Sequence, residues 1–87
     1  MVEHHEIVTS PYHGVIKEIV IKENTRICEW EPLFIIQTES GEHKAVVVGI
    51  SGSVQSIEVQ EGDEVIPGMV LTYLKDDSIL FQRESPK

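Results

Sequence analysis

The chain states one pattern twice. Residues 14–36 (GVIKEIVIKENTRICEWEPLFII) align with residues 52–74 (GSVQSIEVQEGDEVIPGMVLTYL) at an offset of 38. Gly14/Gly52, Ile19/Ile57, Glu23/Glu61 and Leu33/Leu71 are identical, while Ile16/Val54, Ile21/Val59 and Ile27/Val65 keep apolar bulk. Four identities in 23 pairs is thin alone, but the apolar spacing repeats with them, which chance seldom produces. In a chain of 87 residues the duplication is a severe constraint. Each strand-turn-strand unit is too small to bury a core of its own, so the two must share one.

The local pattern is β throughout. Segments near 5–9, 14–22, 33–38, 43–48, 52–60 and 69–75 are rich in Val, Ile, Thr and Phe and are separated by Ser-Pro, Ser-Gly, Gly-Asp and Pro-Gly turn signals. No useful window shows a 3.6-residue apolar period, so no helix is expected. The shared apolar positions run 16, 19, 21 and 54, 57, 59. Strict alternation breaks at the same place in both copies, which predicts a bulge where the sheet curves. The expected fold is all-β, a flattened barrel or small sandwich of about 7–8 short strands. The single domain spans 1–76. Residues 77–87 are expected to form an extension in which Ile79-Leu80-Phe81 adds an edge strand before a loose end.

Charge and composition exclude several functions. A net charge of -8 with only seven Lys and Arg argues against nucleic acid and against an anionic membrane surface. No stretch approaches the ~20 apolar residues of a membrane span, and the opening MVEHHEIV lacks the basic and apolar regions of a signal peptide, so a cytoplasmic location is expected. The single cysteine, Cys28, excludes an internal disulfide; it has no nearby cation in sequence to activate the thiol. No nucleophile-elbow, HExxH or phosphate-cradling glycine motif is present, so no enzymatic activity is expected. Asp76-Asp77 and Glu61-Gly62-Asp63-Glu64 read as turn and solvated-face acids.

Gly52-Ser53-Val54, then Val59-Gln60-Glu61-Gly62-Asp63-Glu64-Val65, then Pro67-Gly68 and Leu71 resemble the second half of a biotinyl or lipoyl carrier domain. The first half is similar but worn, with Asn24 and Trp30 where that motif usually has glycine. The resemblance covers roughly residues 5–75. It implies a barrel-sandwich hybrid of two quasi-equivalent antiparallel halves, with the cofactor lysine at the tip of the hairpin that joins them.

That hairpin reads Ile36-Gln37-Thr38-Glu39-Ser40-Gly41-Glu42-His43-Lys44-Ala45. The family's spacing places the acceptor at Ser40 or Gly41, according to the end from which it is counted. Neither offers an amine for a stable amide, and the flanking methionines of the biotin pattern and the acidic-lysine pair of the lipoyl pattern are missing. No cofactor is therefore expected. Biotin or lipoate enters only if Lys44 substitutes, making the chain a carrier for a carboxylase or acyl-transfer complex. Alternation puts Lys44 on the same side as Val46 and Val48, where its ammonium would reach the barrel rim rather than an apex.

Two further sites come from the residues. By analogy with the lipoyl branch, His13 is expected to approach His43, and the pair would be the core of a small metal site, although two histidines alone fall short of a zinc site. His4-His5 are adjacent and would point to opposite faces of a strand. The repeat also acts as an internal control. Where the second half has Glu58, Gly68 and Thr72, the first has Val20, Trp30 and Phe34. If positions that tolerate Glu and Thr are exposed, then Val20, Trp30 and Phe34 form an outward apolar patch, for a protein partner or a second copy, unless Ile79-Leu80-Phe81 covers it. Asn24 opposite Gly62 is tolerable in left-handed geometry, but Trp30 opposite Gly68 would be strained, so the turn at 28–31 is expected to differ in shape from that at 66–69.

Overall fold

A computed structural model describes residues 4–76, and these contain eight strands. They are β1 (His4–Thr9), β2 (Gly14–Ile19), β3 (Arg26–Ile27), β4 (Phe34–Thr38), β5 (His43–Val46), β6 (Gly52–Ile57), β7 (Glu64–Val65) and β8 (Val70–Asp76). They make two four-stranded antiparallel sheets, ordered β1-β8-β6-β3 and β5-β4-β2-β7. The fold is the all-β flattened barrel-sandwich that the resemblance implied. The expected extension at 77–87 lies outside the described residues. Among the described residues no helix is long and apolar enough to cross a membrane.

The duplication extends to single hydrogen-bonded pairs. β2 pairs with β4 as Gly14↔Thr38, Ile16↔Ile36 and Ile19↔Phe34; β6 pairs with β8 as Gly52↔Asp76, Val54↔Leu74 and Ile57↔Thr72. Every partner is displaced by the same 38 positions. The predicted bulges fall between Ile16/Glu18 and Val54/Ser56, again equivalent. The turns between the halves interlock reciprocally. Ile16 N–H donates to Asp63 O while Val54 N–H donates to Thr25 O, and Gly62 N–H donates to Ile16 O while Asn24 N–H donates to Val54 O, all at 2.8 Å. Each half thus completes the backbone hydrogen bonding of the other, with β7 added to β2 and β3 added to β6.

The core follows from the alternation on either side of the bulges. Ile16, Ile21, Ile27, Leu33 and Ile36 meet Val54, Val59, Val65, Leu71 and Leu74, all buried, with Ile19 and Ile57 packed at the margin. Val8, Val46 and Phe34 join them.

Phe34 corrects the sequence expectation. It is fully buried (0%), and so is its counterpart Thr72 (0%), so neither belongs to an outer face. The inference from a polar residue to an exposed position fails because the Thr72 hydroxyl donates to the Ser56 carbonyl at the bulge. A single hydroxyl satisfied in this way is carried in a core at little cost.

The turn at 28–31 is a second correction. Trp30 has φ 65° and Gly68 has φ 91°, so both stand in left-handed geometry. Glu31 N–H donates to Cys28 O at 3.2 Å and Met69 N–H to Ile66 O at 3.1 Å. Trp30 N–H is held by Val48 O and Gly68 N–H by Ser10 O, both at 2.8 Å. The two turns therefore share one shape. Tertiary hydrogen bonds impose it, and Trp30 carries the strain of about 1–2 kcal/mol that glycine avoids. Asn24 (φ 67°) matches Gly62 (φ 95°) as expected.

Candidate functional site

The hairpin between β4 and β5 is a tight turn built from its own backbone. Thr38 N–H donates to Glu42 O at 2.8 Å, and Gly41 N–H donates to Thr38 O at 2.9 Å. Gly41 has φ 91°, a conformation that suits glycine and closes the loop. Glu39, Ser40 and Gly41 thus form the tip. The Ser40 hydroxyl lies 3.0 Å from that of Thr38. No primary amine stands at the apex.

Lys44 lies within β5, paired in register with Ile36 and below the turn. It is half-buried beside buried Val46, and its Nζ sits 3.3 Å from Glu42 Oε1. The residue belongs to a paired strand, and the exposed Glu42 carboxylate is its ion-pair partner. That placement differs from the apex position that the resemblance implied for an acceptor amine. The hairpin tip carries no amine of the kind that a covalently attached biotinyl or lipoyl group needs.

His13 closes the base of the hairpin. Its Nδ1 is 3.2 Å from Glu39 Oε2 and its Nε2 is 3.4 Å from Glu64 Oε2. Strand β2 begins at the next residue, where Gly14 pairs with both Thr38 and Val65, and this register brings the ring between tip and β7. A neutral imidazole has one N–H and donates to one of these carboxylates; the imidazolium serves both. The ring forms one wall of a shallow cleft of about 150 Å³ lined by residues 13–15, 37–39 and Glu64.

His43, the expected neighbour of His13, does not line that cleft. It lies across from Gln37 in β5 and is exposed. The acids that do reach His13 sit on opposite nitrogens of the ring, so they cannot converge on one ion. Among the described residues no group of three or more His, Cys, Asp or Glu is arranged to hold a metal. Sequence reasoning missed Glu39 and Glu64 because both look like ordinary surface acids; only the strand register brings them together.

Of the expected patch, Val20 (44%) and Trp30 (67%) are exposed, without Phe34. Val20 N–H donates to Leu33 O, whereas Trp30 N–H donates to Val48 O. The Trp30 ring rests against Gly49, where an added Cβ would lie 2.6 Å from Cη2. Val47, two residues before Gly49, is also exposed. Cys28 is an exposed free thiol whose N–H donates to Glu31 Oε1 at 2.7 Å.

No family model matches the chain. Methylcrotonoyl-CoA carboxylase subunit alpha, mitochondrial, of Glycine max is 29% identical over 69 residues, or 79% of this chain and 9% of that subunit. The crystal structure of the Kluyveromyces lactis urea carboxylase is similar in fold, with a TM-score of 0.75 and 22% identity over 85% of this chain and 6% of that one. The chain therefore spans less than a tenth of the length of these relatives. Its sequence and fold are biotin carboxyl carrier-like.

Proposed function

We propose that this chain is a carrier-shaped protein-binding module that bears no biotin or lipoate at its hairpin tip and has no catalytic role of its own. The observation that carries the reading is chemical. A ligase that makes an amide needs a primary amine at the apex, and the apex here is Glu39, Ser40 and Gly41. The barrel persists without the group it usually displays, so its use lies elsewhere on its surface. The exposed Trp30 and Val20 support a contact surface, since tryptophan is enriched among the anchors of protein interfaces. The likeness to two carboxylases supports a partner of carboxylase type.

The competing reading, a biotin or lipoyl carrier loaded at Lys44, draws on the same likeness. Against it stands the register of Lys44 opposite Ile36 and its contact with Glu42. Co-expression of the full chain with a biotin ligase and a lipoate ligase, followed by intact mass, separates the two. The expected result is an unchanged mass; a covalent adduct lost on Lys44→Arg would establish the carrier reading.

A further inference from the structure

We propose that the Trp30 face receives a basic segment of a partner protein, with an arginine or lysine seated on the indole beside Glu29 and Glu31. This rests on the protein-binding reading above and adds the chemistry of the partner. The two equivalent turns supply the control. They share φ sign, hydrogen-bond pattern and anchoring carbonyl, so the backbone asks the same of both. The second half meets that demand with Ile66-Pro67-Gly68-Met69. The first uses Cys28-Glu29-Trp30-Glu31: an aromatic ring with a carboxylate on either side of it in the chain, at the one position where a side chain is strained. Glu31 braces the turn through the Cys28 N–H, but the shared backbone calls for neither the Glu29 nor the Trp30 side chain.

The ring is also placed rather than loose. Its edge lies on the bare backbone of Gly49, and most of its surface remains open. The Glu31 carboxylate is held by the Cys28 N–H, which keeps its negative charge within the turn that carries Trp30. An aromatic face with adjacent carboxylates attracts a cation, and guanidinium stacks on indole better than ammonium does. Exposed Val47, two residues before Gly49 in the chain, offers an aliphatic side chain for the apolar part of such a segment. A second copy of this chain is a poor occupant. Two molecules of net charge -8 meeting here would bring like carboxylates together.

The test uses the full chain and two synthetic peptides, one alternating arginine with leucine and one alternating glutamate with leucine. Trp30 is the only tryptophan, so its emission reports on this face alone. The arginine peptide is expected to shift that emission saturably, with affinity falling roughly three-fold or more between about 50 and about 500 mM salt. The glutamate peptide is expected to give no shift. Glu29→Lys is expected to weaken the arginine peptide roughly three-fold or more, and Trp30→Gly, followed by a label on the peptide, to abolish binding. An equal response to both peptides, no response to the arginine peptide, or insensitivity to salt and to Glu29→Lys overturns the basic partner. A dimer in sedimentation that Trp30→Gly dissolves overturns it too, while leaving the face a protein-binding surface. A photocrosslinker at position 47 in native cells tells the two failures apart: an adduct on a neutral or acidic segment removes only this inference, and no adduct removes the protein-binding reading with it.

Discussion

Glu23 and Glu61 perform the same task in opposite directions. Glu23 Oε2 accepts the N–H of Ile57 at 3.0 Å, and Glu61 Oε2 accepts the N–H of Ile19 at 3.2 Å. Each carboxylate leaves the turn of one half and receives the backbone at the end of the strand in the other, just past the bulge. The pair accounts for one of the few identities between the repeats. Removing either leaves a strand-end N–H with water as its only alternative. Glu23→Ala and Glu61→Ala are each expected to cost about 1–2 kcal/mol, with closely similar values. Urea denaturation of both variants measures this, and a large inequality would show that the halves are not equivalent in energy.

Gly14 and Gly52 form a second matched pair. A Cβ at Gly14 would run into the backbone carbonyl of Gln37, and one at Gly52 into that of Lys75. Both obstacles are backbone within a paired strand and cannot rotate away. Gly14→Ala and Gly52→Ala are each expected to cost about 3 kcal/mol or to prevent folding, as read from thermal unfolding.

Trp30→Gly is expected to be nearly neutral, within about 1 kcal/mol of the parent. Relief of left-handed strain offsets the lost contact with Gly49 and the freer unfolded chain. Truncating a packed Trp costs about 3–5 kcal/mol. A loss of that size in a denaturation curve would mean that the indole is part of the core.

At Phe34 and Thr72 the halves fill equivalent buried sites by different chemistry. Phe34→Ala is expected to cost about 3–5 kcal/mol through the cavity it opens. Thr72→Val is expected to cost about 1 kcal/mol through loss of the hydroxyl bond to Ser56. The ratio of the two losses, measured under one set of conditions, checks the assignment.

Much of this fold was legible because duplication exposes it. The apolar spacing at 16, 19, 21 and 54, 57, 59 revealed both the shared core and the bulges. The two-residue strands β3 and β7 were not legible, since such short pairings leave no period in the sequence. Reading exposure from Thr72 misplaced Phe34 because a bulge carbonyl can satisfy one hydroxyl invisibly. Reading backbone shape from Trp30 failed as well: tertiary hydrogen bonds to Val48 override local preference. At the hairpin, the missing amine was plain from residue identity alone. The acids that clasp His13 depend on register, and they emerged only with the strands in place.

The central claim is that this carrier-like barrel bears no prosthetic group at its connecting turn. Intact mass of the protein isolated from its own cells tests this most directly. The account predicts the mass of the bare polypeptide, with no biotinyl or lipoyl increment on any molecule. A biotin or lipoate adduct on Lys44, or on any other residue, would contradict it.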